Sequence, residues 1–468
     1  MDWEKQIEEL FGKIIEKIPE GFRPSIKPII INAAENKCNE RNGAYINEAD
    51  LVTGIFIVTP EAFKATMVED LTSLGVDVER YVELKEIMDR IKVSWDSVIK
   101  AFRPGNVHFA MYITDRCNMK CVHCAADDQV PRPELSTEEW CQIIENLETG
   151  LQKQGKHGCY IWFGGEPTLR EDIGDIMKFC QNKGYLHAII TNGVKFDENF
   201  AKMCKQNGMS HVFVSFDSAD PNKNDEIRGF PNSLEYAKKA IKNCLKYGLF
   251  VCTSITVMKQ NINELDELKA LSKEWGAESF FRAVVKQNRA AEYWDEIGLN
   301  QEEYKKLYDF KYRHAIETIR QGEAGILPIY EIYEMTPFME CPKDDKELTA
   351  IEWGVGCLAC RTMMGVGMDG KIYPCGYPTK LTLGHALKDK FEDVLNSQLF
   401  KDIRDRKIRT GKCASCHHLQ YCGGGCRVHA ECETGDIFGS FSYCWHENDH
   451  EQDVDAVQDE KIEESIIE

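Results

Sequence analysis

Three cysteines fall within eight residues, Cys117-Asn118-Met119-Lys120-Cys121-Val122-His123-Cys124, at C-x3-C-x2-C spacing. A tight loop with this spacing can aim three thiolates at one object. Three thiolates are one short of the four that close an ordinary [4Fe–4S] cluster. If the fourth ligand is not a protein side chain, one iron stays open to a small molecule. The alternative is zinc, which prefers four N/S ligands and could take His123 as the fourth. His123 abuts Cys124, however, so both side chains would have to reach one ion from adjacent positions.

A second array follows much later: Cys357, Cys360, Cys375, Cys413, Cys416, Cys422, Cys426 and Cys444. Its last part reads C-x2-C-x5-C-x3-C with a final cysteine after a gap. Eight thiols could supply two clusters of four ligands each. Zinc competes here as well, because paired C-x2-C knuckles bind it. Gly423-Gly424-Gly425 lies between two of these cysteines and permits unusual backbone angles and close N–H approach to sulfur. Cys432 fits no ligand position.

The first cysteine loop sits at the start of a repeating pattern. Apolar strand-like runs are expected at 107–113, 159–163, 188–191, 211–216, 250–257 and 279–285, separated by amphipathic helical stretches. Ser136 and Glu139 form a capping box, with Leu135 and Trp140 placed as a hydrophobic staple. Leu234, Ala237, Ile241 and Cys244 share one helical face. Six βα units in series imply an α/β fold with a parallel sheet and right-handed crossovers. Six units, not eight, predict a partial (β/α)6 TIM-like barrel.

The first strand runs directly into the cysteine loop, which places the loop at the C-terminal face, where barrels keep their chemistry. Gly164-Gly165-Glu166-Pro167 follows the second strand. The glycines are expected to let a ligand approach the backbone, and Glu166 can take a cationic group. Thr191-Asn192-Gly193 follows the third strand, Ser215 and Asp217 end the fourth, and Arg228 comes shortly after. A guanidinium fork suits a carboxylate. Cys38, Cys141, Cys159, Cys180, Cys204, Cys244 and Cys252 stand alone and are expected to be small apolar core residues.

These motifs resemble those of the radical S-adenosylmethionine (SAM) enzymes. The resemblance implies that Cys117, Cys121 and Cys124 hold a [4Fe–4S] cluster whose open iron is chelated by SAM, and that reductive cleavage of SAM gives a 5′-deoxyadenosyl radical. It implies that His123 lies near the adenine and that Gly164, Gly165, Glu166 and Pro167 bind the SAM amino group. Ser215, Asp217 and Arg228 would hold the ribose and carboxylate, with Asn192 in the same cofactor-binding set. The C-terminal array resembles the SPASM extension. Carried over, Cys357, Cys360, Cys375 and Cys426 would bind one auxiliary [4Fe–4S] cluster, and Cys413, Cys416, Cys422 and Cys444 a second. Cys341 is the alternative to Cys357. SPASM members mostly modify peptides or proteins, whereas others act on tetrapyrroles. Sulfatase maturases carry an aspartate just after the third auxiliary-cluster cysteine, and here that position is Gly376.

The rest of the chain frames these sites. Residues 1–100 are expected to be helical, 101–325 to form the barrel, 326–448 a connector and SPASM domain, and 449–468 a disordered acidic tail. The segment from Ile18 to Leu51 loosely resembles a small helical module of light-independent protochlorophyllide reductase subunits. An ordinary helical cap on the barrel is the other reading. Among 468 residues, 57 basic and 77 acidic side chains leave a net charge of −20, which argues against nucleic acid and anionic membranes. No apolar run approaches the ~18 residues of a membrane span, and the N-terminus lacks the pattern of a signal peptide. Twenty cysteines without a secretory signal point to metal binding in a reducing, cytoplasmic setting. An electron donor such as ferredoxin or flavodoxin is the expected partner, besides a peptide, protein or small-molecule substrate. A non-enzymatic iron–sulfur electron carrier is the rival from another class.

Overall fold

The computed structural model describes residues 2–18, 23–41, 43–59, 67–68, 70–81, 101, 106–126, 132–320, 357–405, 408–416 and 419–444. Residues 321–356, which take in the expected connector with Cys341, and the acidic tail lie outside the described residues, as does 82–100 of the N-terminal region.

The N-terminal region is helical as expected, with Lys5–Lys17, Arg23–Glu40 and Glu48–Val58. It also contains a short parallel pair not foreseen, β1 (Asp2–Trp3) with β2 (Tyr45–Ile46). Its helices bury Ile7, Phe11, Ala34, Leu51 and Ile55 in a core separate from that of the main sheet.

All six expected barrel strands are present. They are β3 (Val107–Thr114), β4 (Gly158–Gly164), β5 (Leu186–Thr191), β6 (His211–Ser215), β7 (Phe250–Val257) and β8 (Glu278–Ala283). They pair in parallel in chain order. Every residue of β3 is buried, as expected of a parallel strand covered on both faces. Period-two alternation divides the two faces. Phe109, Met111 and Ile113 join Trp140, Ile143 and Ile144 of the helix Thr137–Gln152 in the main core. Ala110 and Tyr112 point the other way, toward Phe163 and Met368.

The helix Thr137–Gln152 starts at the expected box: Ser136 Oγ accepts from the Glu139 N–H at 3.2 Å, and Glu139 accepts from the Ser136 N–H at 2.8 Å. Trp140 is fully buried and Leu135 packs against the same core. Leu234, Ala237, Ile241 and Cys244 lie on the buried face of the helix Ser233–Lys246. Of the seven solitary cysteines, six are buried and Cys141 is half-buried.

The sheet has nine strands, three more than the barrel reading gives. β9 (Met363–Val366) pairs in parallel with β3, His108 opposite Met363, and β10 (Lys371–Tyr373) and β11 (Gly384–His385) continue antiparallel. The C-terminal cysteine module is thus hydrogen-bonded onto the open edge of the partial barrel. That edge would otherwise present unpaired backbone groups.

Candidate active site

The cysteine loop leaves the C-terminal end of β3 and is tied down from both sides. On one side Gly165 N–H donates to Thr114 O at 2.7 Å and Glu166 N–H to Arg116 O at 2.8 Å. On the other, Lys120 N–H donates to Arg228 O at 3.3 Å and Val122 N–H to Ile227 O at 3.0 Å. A Cβ on Gly164 would lie 2.3 Å from Thr114 O, and one on Gly165 2.3 Å from Arg116 O. These two glycines therefore admit the chain's own cysteine loop, a close approach additional to the one expected for a ligand. Gly229, at φ +58°, does the same for Lys120 O.

Cys117, Cys121, His123 and Cys124 line one cavity of about 130 Å³ together with Gly164, Gly165, Glu166, Asn192, Ser215 and Arg228. Ten positions of the expected set, drawn from five separate segments, thus meet at one place. Among the described residues no three His, Cys, Asp or Glu side chains converge on a single-ion position. A four-iron cube spreads its ligands more widely than one zinc ion does, so lining a cavity is the arrangement it requires.

Two expected residues stand behind the wall. Pro167 is buried at the start of the 3-10 turn Pro167–Leu169. Asp217 is fully buried. Its Oδ1 accepts from Thr256 N–H at 2.7 Å, and its Oδ2 lies 2.7 Å from Arg228 Nε and 3.6 Å from His123 Nε2. The pair with Arg228 is close but lacks hydrogen-bond alignment. Asp217 therefore positions Arg228 and His123 and does not itself face the cavity.

Glu166 is also deeply buried, and its carboxylate accepts four hydrogen bonds. Donors are Thr168 N–H at 3.1 Å, Thr168 Oγ1 at 2.6 Å, Thr191 Oγ1 at 2.7 Å and Asn192 N–H at 2.7 Å. Burial raises its pKa, and these donors oppose that rise. The Asn192 amide donates to Asn118 Oδ1 at 2.7 Å, which links the third strand end to the cysteine loop.

The site fits a positively charged occupant beside the thiols. Burial pushes the Cys117 thiol up to about 11 and Cys121 up to about 12. The loop alone does not hold thiolates at neutral pH, and a metal partner would. Burial also lowers His123 to about 4, so the ring is neutral, and its buried Nδ1 has no hydrogen-bond partner among the described residues. A neutral ring with a free acceptor or donor on a cavity wall is suited to a heteroaromatic ligand.

Seven of the eight cysteines of the second array have neighbours from the array. Cys357, Cys375 and Cys426 line a neighbouring cavity of about 170 Å³. Cys360 has its ionisation suppressed chiefly by burial and then by Cys357 and Cys375. Cys360 is also in the left-handed region at φ +58°, a strained setting for a non-glycine. Cys422 is pushed up to about 12 by burial, with Cys444 and Cys413 close enough to contribute. Gly423, Gly424 and Gly425 all have φ between +71° and +86°, and Gly425 N–H donates to Cys422 Sγ at 3.1 Å.

A family model for the radical SAM superfamily matches residues 111–271, and one for an iron–sulfur cluster-binding domain, SPASM, matches 357–417. This chain is a radical SAM enzyme with a C-terminal SPASM domain. Its cofactors are SAM, a [4Fe–4S] cluster and auxiliary iron–sulfur clusters. The SPASM match stops at 417, short of Cys422, Cys426 and Cys444. The chain is 28% identical to an AdoMet-dependent heme synthase of Methanosarcina barkeri, covering 72% of this chain and 95% of the relative. It is also 28% identical to the mycofactocin maturase MftC of Mycolicibacterium smegmatis, over 67% of this chain and 76% of the relative. Two solved structures share the fold. Native anSMEcpe with bound AdoMet has a TM-score of 0.54 at 18% identity, covering 72% of this chain and 93% of that one. Streptococcus suis SuiB bound to precursor peptide SuiA has a TM-score of 0.55 at 17% identity, covering 86% and 94%. Among the described residues no helix is long and apolar enough to cross a membrane.

Sequence reading missed several residues that line the first cavity. Ser254 and Thr256 of β7, Arg282 of β8 and Tyr377 also line the first cavity. The signal that could have found them was the alternation of each strand, which turns Ser254, Thr256 and Arg282 inward near the strand ends.

Proposed function

We propose that this enzyme oxidatively modifies a peptide or protein substrate held in the apolar cavity between the SAM site and the SPASM module. Cys117, Cys121 and Cys124 would hold the SAM-binding cluster. Cys357, Cys360, Cys375 and Cys426 would hold one auxiliary cluster, and Cys413, Cys416, Cys422 and Cys444 the other. When bound, these groups and SAM supply an electron, a carbon radical that abstracts hydrogen, and an acceptor for the electron that oxidation releases. The chain's own residues hold and orient. Arg228, positioned by Asp217, offers a cation for the SAM carboxylate. Ser215 offers a hydroxyl to the ribose. His123 offers a neutral ring to the adenine. Glu166 fixes the Thr191-Asn192 turn and presents negative charge to the SAM amine.

The observation that carries this reading is the pair of adjoining cavities. They share Phe163, Ile190, Arg282, Val285 and Tyr377, and one reaches the SAM-site cysteines while the other reaches Cys357, Cys375 and Cys426. A substrate in the second cavity would lie between the radical source and an electron acceptor. Gly376 lines that cavity where sulfatase maturases have an aspartate, so the proton acceptor would be a different group. The similarity to heme synthases supports a second reading, modification of a tetrapyrrole or another small molecule. A reducing, cytoplasmic setting with ferredoxin or flavodoxin as electron donor suits either.

The test is anaerobic incubation of the reduced holoenzyme with SAM and size-fractionated extract from cells grown on deuterated medium. Labelled 5′-deoxyadenosine appearing with the peptide fraction is expected. Label arising only with the small-molecule fraction refutes the peptide reading in favour of the second. Absence of any SAM cleavage refutes both.

A further inference from the structure

Arg282 sits near the C-terminal end of β8, on the wall common to both cavities. Its Nη2 donates to Ser254 Oγ at 2.7 Å, and its guanidinium carbon lies 5.7 Å from the Phe280 ring centroid. Its Nε is buried without a hydrogen-bond partner. No carboxylate among the described residues is ion-paired with it, in contrast to Arg228, which has Asp217. The residue is half-buried, but its Nε is out of reach of water and unpartnered, and an entering anion would supply the acceptor it lacks. The planar fork suits a carboxylate in particular.

The surroundings define what the carboxylate is attached to. Beyond Arg282 the second cavity is walled by Ile161, Phe163, Ile190, Phe280 and Val285. His429, the other basic side chain on this wall, is held neutral by burial, which lowers it to about 4. We propose that Arg282 is a substrate-binding residue that grips a carboxylate on an apolar or aromatic substrate group and sets that group at the junction with the SAM cavity. This deepens the proposed function and rests on it. The carboxylate could belong to a peptide terminus, an acidic side chain or a small organic acid. SAM carries a carboxylate too, but Arg228 already serves the first cavity, and only Arg282 faces both.

The experiment uses the anaerobically reconstituted holoenzyme with Arg282→Gln and Arg282→Lys. Two matched pairs are measured by equilibrium dialysis: indole-3-propionate against its amide, and SAM against decarboxylated SAM. A second pair of arms repeats the first comparison with an acetylated phenylalanyl-phenylalanine, free acid against amide. The wild type is expected to prefer acids over amides by roughly tenfold to a hundredfold, the span of a charged hydrogen bond. Arg282→Gln should abolish that preference, and the acid-to-amide ratio should change far more than the ratio of SAM to decarboxylated-SAM affinity. Arg282→Lys, which keeps the cation, should retain part of the preference and covers the case in which the glutamine variant does not fold. Weakened SAM binding with unchanged decarboxylated-SAM binding would assign Arg282 to the cofactor and overturn the proposal. An acid preference that survives in Arg282→Gln also overturns it. Failure of SAM cleavage in the wild type would sink the proposed function, a result separate from the acid preference.

Discussion

Asp217→Asn tests whether the SAM cavity depends on a buried charge one layer behind it. Asp217 is wholly buried, and the Arg228 side chain beside it is only 7% exposed. Asparagine keeps the shape and can still accept from Thr256 N–H, so the change removes charge and little else. It leaves the Arg228 guanidinium buried without its counter-ion, and breaking one side of such a pair costs about 3–5 kcal/mol. For a barrel of this size, each kcal/mol moves the melting temperature by roughly 2–4 °C, so a fall of about 6–20 °C is expected. Arg228 would relax toward the nearby thiols, since its Nη1 is already 3.9 Å from Cys121 Sγ. SAM affinity should fall about tenfold or more, the loss of one oriented charged contact. Calorimetry and equilibrium dialysis on the anaerobic holoenzyme measure both effects. The double variant Asp217→Asn with Arg228→Met should melt higher than the single variant, because the orphaned charge is gone. A melting temperature within about 2 °C of wild type, with unchanged SAM affinity, refutes a positioning role for Asp217; the threshold is about 1 kcal/mol at this size.

Other outcomes follow from the same geometry. Replacing Cys117, Cys121 and Cys124 together by alanine should remove about a third of roughly twelve bound irons and abolish SAM cleavage, by iron assay and chromatography; zinc in place of iron at these positions would contradict it. Glu166→Gln should weaken SAM binding at unchanged iron content, because it removes charge from a residue that lies beside the cluster loop without being a thiol ligand; loss of iron would show a different role. His187 is fully buried, accepts from Trp162 Nε1 at 3.2 Å and donates to Asn207 O at 2.8 Å, and burial lowers it to about 4. The unfolded chain takes up this proton first, near pH 6.5, so stability should be level above that and fall as the pH drops toward 4. His187→Gln, which can accept and donate in the same places, should flatten the urea-midpoint slope in that window by up to one proton; an unchanged slope would contradict the shift.

Much of this molecule could be read from local pattern because its determinants are local. A parallel strand covered on both faces is mostly apolar, so β3 shows as a run broken only by His108 before Thr114. The helix at Thr137–Gln152 declares its own start through Ser136 and Glu139. The cysteine loop was legible for the same reason, three thiols within eight residues. The pairing of β9 with β3 was not, because a short run of modest pattern, Met363–Val366, must find an edge far earlier in the chain. Only that edge's need for a hydrogen-bonding partner selects it.

The site was read in part where one residue type can serve two layers. Gly164 and Gly165 carry the mark of close approach, and sequence alone does not say what approaches. Here it is the backbone of Thr114 and Arg116, so the glycines build the cysteine loop's seat before any ligand arrives. Asp217 carries the mark of a binding carboxylate, yet it points at Arg228, Thr256 N–H and His123, and so acts through them. Arg282 was hidden in the opposite way, beside a pair of phenylalanines read only as strand. Counting the alternation from Phe280 would have turned it inward. An inward arginine at a barrel strand's C-terminal end, with Ser254 as its hydrogen-bonded neighbour, is where a substrate's charge can be met. On the proposed reading, the cofactor's contacts follow from motif spacing, whereas the substrate's contacts follow from strand phase. That difference explains why the enzyme class could be read early and the substrate class depends on a residue outside every motif.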